Sequence, residues 1–181
     1  DADYANLKIT YDSEFLFIYF NFHNGEFLLQ NWNNFHLYID ADGDSTTGYY
    51  VHGIGAELDW NFGQRSGYQY LNGNQIEIGQ NDITLRMAPT VTSVEFEIAI
   101  SRISSALTAG GSQSLIQCKI VLSEFEADGD FLPDTLGGIG FTFFEDDVLP
   151  LNPITLEKMN DSDIRIVSYN TWNEGIIDGN R

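Results

Sequence analysis

Basic residues, cysteines and long apolar runs are all scarce in this chain. Only 8 of its 181 residues are Lys or Arg, against 27 Asp and Glu, for a formal net charge of −19. Lys and Arg are what hold nucleic-acid backbones and anionic membrane surfaces, so neither is an expected partner. A surface this acidic suits divalent cations and neutral ligands, and it also keeps a protein soluble. The single cysteine, Cys118, excludes an intrachain disulfide, which leaves the apolar core or a bound metal to supply stability. Set in an apolar stretch, it reads as a buried, unreactive thiol. No run approaches the roughly 18 apolar residues of a membrane-spanning helix. The chain opens at Asp1 without an initiator Met. The expectation is a processed protein that is secreted, held at the cell surface or periplasmic.

What is present is apolar and aromatic: 43% of residues are hydrophobic and 14% are Phe, Trp or Tyr. That is enough for one sizeable core. Residues 14–23 alternate, with Leu16, Ile18, Phe20 and Phe22 on one face and Phe15, Phe17 and Tyr19 on the other, predicting a central strand covered on both sides. Strands are likewise predicted over 6–11, 34–40, 54–62, 68–71, 75–78, 83–87, 90–100, 115–125 and 139–144. In the strand at 90–100, Glu95 and Glu97 mark a wet face. Asp12-Ser13, Asn24-Gly25 and Asn72-Gly73-Asn74 are turn signals. Residues 101–107 are read as one short helix capped by Ser101. The expected fold is therefore all-β: a two-sheet antiparallel, jelly-roll-like sandwich with at most one short helix. It is expected to span 1–144. An acidic, proline-bearing linker or edge segment follows at 145–163, and the truncated start of a further domain at 164–181.

The sharpest local signal is Asp40-Ala41-Asp42-Gly43-Asp44-Ser45-Thr46-Thr47-Gly48. Carboxylates at alternate positions of a tight loop can converge on one point, and Ca²⁺ takes roughly six to eight oxygens. Gly43 lets the loop turn back on itself. The expected ligands are Asp40, Asp42, Asp44 and Thr46, completed from the next strand by Glu57 or Asp59. The spacing starts like an EF-hand loop, but the closing position holds Val51. The same composition also suits an Asx-type turn without an ion. A second acidic loop, with Asp128, Asp130 and Asp134, is a further candidate for metal.

The segments EFLFIYFNF, FHLYIDADGDSTTGY and GIGAELDW together resemble the family 9 carbohydrate-binding module and its relatives. These show a strand of the form "lyi.f.v", a loop "yiD.D.d..TGy" and a strand "g.GaDy". The corresponding positions are Phe15 to Phe22, Tyr38 to Tyr49 and Gly55 to Trp60, and a later DGD…PD segment maps onto Asp128 to Asp134. The resemblance covers roughly residues 5 to 144. It implies an antiparallel sandwich, calcium at the Asp40, Asp42 and Asp44 positions, with Glu57 where relatives often have Asp, and sugar binding by an aromatic clamp. The clamp residues cannot be carried over one by one.

Residues Asp163 to Trp172 resemble the opening "lri.syN" strand of the endonuclease/exonuclease/phosphatase superfamily, with Asn170 at the position of its active-site Asn. The same Asn also suits a simple turn cap. The resemblance implies that the parent protein is a secreted phosphodiesterase or nuclease, with its catalytic domain C-terminal to this one.

Aromatic rings that could stack on sugar faces are Trp32, Tyr50, Trp60 and Tyr68, with Tyr49 and Tyr70 beside them. For any single one of them, a core role is the competing reading. His23, His36 and His52 lack metal-site spacing. No nucleophile–base motif or phosphate loop is visible, so no catalytic residue is expected. The functional expectation is a non-catalytic, calcium-stabilised accessory module that binds carbohydrate. The alternative is a structural or interaction domain that positions the catalytic domain and has no small ligand.

Overall fold

A computed structural model describes residues 2–108, 115–125 and 129–144, all within one compact unit, Asp1–Leu149. Its strands are β1 (Tyr4–Tyr11), β2 (Phe15–Phe22), β3 (Phe35–Asp40), β4 (Tyr49–Val51), β5 (Ile54–Ala56), β6 (Leu58–Asn61), β7 (Ser66–Leu71), β8 (Asn74–Gly79), β9 (Arg86–Ala88), β10 (Glu95–Ser101), β11 (Gln117–Glu124), β12 (Phe131–Leu132) and β13 (Ile139–Thr142). The expected 145–163 segment, the 164–181 segment with Asn170, and Asp128 lie outside the described residues.

Every strand pair is antiparallel. One sheet has the order β1-β2-β10-β9, and the other runs β12-β11-β3-β6-β7-β8 with β13 also on β11. The architecture is an all-β sandwich, as the alternation predicted. Side chains of period two put one face of each strand inward. Leu16, Ile18, Phe20 and Phe22 of β2 and Phe96, Ile98 and Ile100 of β10 meet Phe35, Leu37 and Ile39 of β3, Leu58 and Trp60 of β6, and Ile120 and Leu122 of β11 in one core. Phe20 sits at its centre, with ring centroids of Phe22, Phe62 and Phe96 at 5.9, 6.1 and 5.8 Å.

The β4–β5 hairpin forms a separate two-stranded unit. Val51, Ile54 and Ala56 bury against Tyr38 of β3 and Val121 of β11 in a second, smaller cluster. Tyr38 and Val121 alternate with inward residues, so this cluster lies on the outer face of the large sheet. That cover makes β3 buried at every position, Asp40 included.

Three local expectations need correction. Residues 101–107 form turns, with Ser104 N–H bonded to the Ser101 carbonyl and Leu107 and Thr108 N–H to the Ser104 carbonyl. The serines, Ile103 and Thr108 are weak helix formers, and Ser101 is spent as the last residue of β10. The strand expected over 83–87 starts only at Arg86, because the Asp82 carboxylate accepts from Gly79 N–H and holds a turn. The outer face of β2 is only half covered. Phe15, Phe17 and Tyr19 are intermediate in exposure, with Arg86 over Phe15 and Lys8 over Tyr19. The short β4 and β12 were not anticipated.

Candidate metal centre

Asp40 ends β3 on the same face as His36 and Tyr38, since Phe35, Leu37 and Ile39 point into the core. The chain then turns through Gly43 and Gly48, at φ of 78° and 65°, values that favour glycine. Gly48 is also required by space. A Cβ there would lie 2.4 Å from the Ala56 carbonyl oxygen and 2.8 Å from Glu57 Oε1. Gly55 answers it from the other side, where a Cβ would come within 2.2 Å of the Thr47 carbonyl oxygen. Two glycines thus press the acidic loop against β5 and bring Glu57 to it.

Asp40, Asp42 and Glu57 each offer a carboxylate oxygen, and these oxygens all lie within 4.8 Å of one another. Ligands around one Ca²⁺ sit at about 2.3–2.6 Å from it, so opposite ligands are about 5 Å apart. The triad therefore fits a single coordination shell. Asp40 and Glu57 are buried and Asp42 is exposed. Asp40 Oδ1 accepts from Gly43 N–H at 2.5 Å. Its buried Oδ2 has no hydrogen-bond donor, only the Lys119 ammonium at 3.5 Å. Glu57 Oε2 accepts from Ala41 N–H at 2.7 Å.

Thr47 shows how crowded with oxygen this corner is. Its hydroxyl oxygen lies 3.2 and 3.0 Å from the two Asp42 carboxylate oxygens, 3.0 Å from the Asp44 carbonyl and 3.1 Å from Glu57 Oε1. A hydroxyl donates one proton and can satisfy one of them. The surplus of acceptors over protons is what a hard cation relieves. Of the three carboxylates only Asp40 has the Lys119 ammonium beside it, and that Nζ also donates to the Gly43 carbonyl at 3.0 Å. Burial, reinforced by Asp42 and Asp40 and opposed by the Ala41 N–H and Thr47 hydroxyl bonds, pushes Glu57 up to about 7.

Asp44 and Thr46, expected as ligands, do not join the triad with their side chains. Asp44 Oδ1 accepts from Thr46 N–H at 2.9 Å and from its hydroxyl at 2.7 Å, in solvent. The hydroxyl bond first, then the backbone bond, lower the Asp44 pKa. Asp59, the alternative to Glu57, is also taken. Its carboxylate lies 2.7 Å from His36 Nδ1, and the Asn61 amide lies 2.9 Å from the other ring nitrogen. Asp59 pairs with Tyr38 rather than with Asp40, which places it beyond the loop.

In the second acidic loop, Asp130 Oδ2 accepts from Tyr4 N–H at 2.6 Å, and nearby Glu124 accepts from Ala2 N–H at 2.8 Å. These carboxylates fasten the N-terminal strand. Asp134 is exposed, and among the described residues neither it nor Asp130 belongs to a metal-capable group.

Of the four aromatic candidates, Trp60 is corrected: it is fully buried in the main core and offers no ring face. Its spacing from Leu58 and Phe62 carried that signal. Trp32 is 93% exposed, Tyr50 68% and Tyr68 39%. They stand on the β2–β3 loop, β4 and β7 respectively. Tyr49 and Tyr70 stack on each other at 5.4 Å.

Ser123 Oγ lies 3.1 Å from His52 Nε2, but the serine is fully buried and donates to the Phe125 carbonyl. This pair ties the β4–β5 hairpin to β11. Cys118 is buried too, and desolvation, then the Asp40 charge, push its thiol up to about 12. Thr47 lies within the acidic loop but was not among its expected ligands, and no local signal pointed to Lys119 or to Gln117, whose amide donates to the Asp42 carbonyl at 3.3 Å. Among the described residues, no helix is long and apolar enough to cross a membrane.

No protein-family model matches this chain, and neither curated proteins nor solved structures include a significant match to it.

Proposed function

We propose that this domain is a non-catalytic, calcium-stabilised accessory module that binds carbohydrate. The observation that carries the calcium assignment is the convergence of Asp40, Asp42 and Glu57 around more acceptor oxygens than there are protons to share. The all-oxygen donor set suits a hard cation, and the lack of Cys or His in it disfavours zinc. The ion neutralises buried charge and fixes the loop between β3 and β4. The non-catalytic reading draws support from the complete burial of Ser123, which keeps its hydroxyl away from any substrate. The exposed rings of Trp32, Tyr50 and Tyr68 support the carbohydrate reading. The accessory role beside a phosphodiesterase or nuclease domain rests on the resemblance at Asp163 to Trp172.

The test is calcium itself. Titration calorimetry on EDTA-stripped protein should give one calcium site. At a calcium concentration about a hundred times Kd, the fold should gain about 2.7 kcal/mol. Identical melting curves in EDTA and in calcium, with no ion found by elemental analysis, would remove the assignment.

A further inference from the structure

A cavity of about 300 Å³ opens beside the metal centre. Its walls are the acidic loop at Asp42 and Gly43, strand β11 from Gln117 to Lys119, and strand β13 from Gly140 to Thr142. The volume is at the small end of ligand sites, which span roughly 300–1,000 Å³. Gln117 pairs with Thr142 and Lys119 with Gly140 across the sheet, so these side chains share one face. With Asp42 from the loop they offer a carboxylate, an amide, a hydroxyl and an ammonium, a mixture of donors and acceptors.

We propose that this cavity binds a neutral, polyhydroxylated molecule the size of one sugar ring, and that the cation governs its affinity. The proposal rests on the reading of the Asp40 loop as a cation site. Three lines of observation lead to it. The first is charge. On the cavity wall itself one carboxylate, Asp42, stands against one ammonium, Lys119, so the wall carries no net charge to select an anion or a cation. The chain's net charge of −19 further disfavours an anion. The second is the shared residues: Asp42 belongs both to the carboxylate triad and to the cavity wall, and Lys119 contacts both Asp40 and Gly43. Removing the ion leaves the Asp40 and Glu57 carboxylates uncompensated beside that wall and frees Asp42 from its partner. The third is Gly140. A Cβ there would meet nothing within 4 Å, and its backbone is not left-handed. The absent side chain is therefore unexplained by packing or by strain, and its absence keeps the cavity open.

The experiment uses the full chain, loaded with calcium or stripped by EDTA. Ligand-observed NMR is run with glucose, galactose, mannose and xylose as neutral probes and with glucose 6-phosphate as the anionic one. At least one neutral sugar should bind the calcium form, at least tenfold more tightly than the stripped form and than glucose 6-phosphate binds. Gly140→Leu should abolish that binding, and Gly140→Ala should weaken it less, while calcium titration and melting curves of both variants match the parent. Sugar binding that persists in a folded Gly140→Leu protein overturns the proposal, as does a calcium-loaded protein that binds none of the four sugars. Failure to take up calcium overturns the metal centre itself, and so is distinguished from failure of the cavity alone.

Discussion

Glu57→Gln separates a cation ligand from a structural hydrogen-bond acceptor. The substitution keeps the shape of the side chain and an oxygen for Ala41 N–H, but it removes the charge. In the metal-free fold, the Glu57 pKa is raised from 4.5 to about 7. One pKa unit is about 1.4 kcal/mol; with solvent screening at the edge of the loop, the ionised carboxylate costs the metal-free protein on the order of 1–2 kcal/mol. The folded-state pKa lies above the unfolded one, and the folded state therefore holds its proton more tightly. Metal-free stability should fall as pH rises between about 4.5 and about 7, and level off above that window. In the variant this slope should disappear. At about pH 8 in EDTA, Glu57→Gln should then melt about 2–8 °C above the parent, at about 2–4 °C per kcal/mol for a chain of this size. At about pH 5 the two should nearly coincide. Calcium should reverse the ranking at the higher pH, because the parent keeps three carboxylates for the ion and the variant only two. Differential scanning calorimetry in EDTA and in calcium, at both pH values, reads all four conditions. If Glu57→Gln is destabilising by the same amount in all of them, Glu57 is only an anchor for the loop and the cation reasoning is refuted.

Gly48→Ala should destabilise the loop by at least about 2 kcal/mol, since it adds both a left-handed strain and a Cβ clash with the Ala56 carbonyl. It should also weaken calcium binding, and an unchanged calcium titration would mean that the loop does not need its contact with β5. Phe20→Ala, in the centre of the main core, should cost about 3–5 kcal/mol in denaturant unfolding while leaving calcium affinity intact in the folded protein. A parallel loss of calcium would show that core and metal centre are coupled. Cys118 should resist an aromatic disulfide reagent in the native state and react on unfolding, because its thiol is buried and pushed up to about 12. Rapid native labelling would contradict the burial of β11.

Much of the fold was legible because alternation is a local property. The strict two-residue period of Leu16, Ile18, Phe20 and Phe22 announces a strand and says which side is apolar. Asn72-Gly73 likewise announces the β7–β8 turn, and both residues adopt positive φ there. The segment 101–107 mixes apolar residues with serines, and the serines' backbone bonding decided for turns. Trp60, a candidate ring with a core role as its competing reading, shares its parity with Leu58, and that parity places it in the core.

Local pattern alone was enough to show that the described residues are all-β, that residues 40–48 form a tight acidic loop, and that Asp40 follows the outward residues of β3. Which oxygens converge was decided by tertiary structure alone. Glu57 outcompetes Asp44 because Gly48 and Gly55 let two backbones touch, and Asp59 is lost to His36 through strand register. Lys119 reaches the loop from a strand distant in the chain. Periodicity assigns each side chain a face, but proximity between faces depends on pairing and on the β4–β5 hairpin folding over the sheet. Those are non-local events, and no short stretch of residues records them.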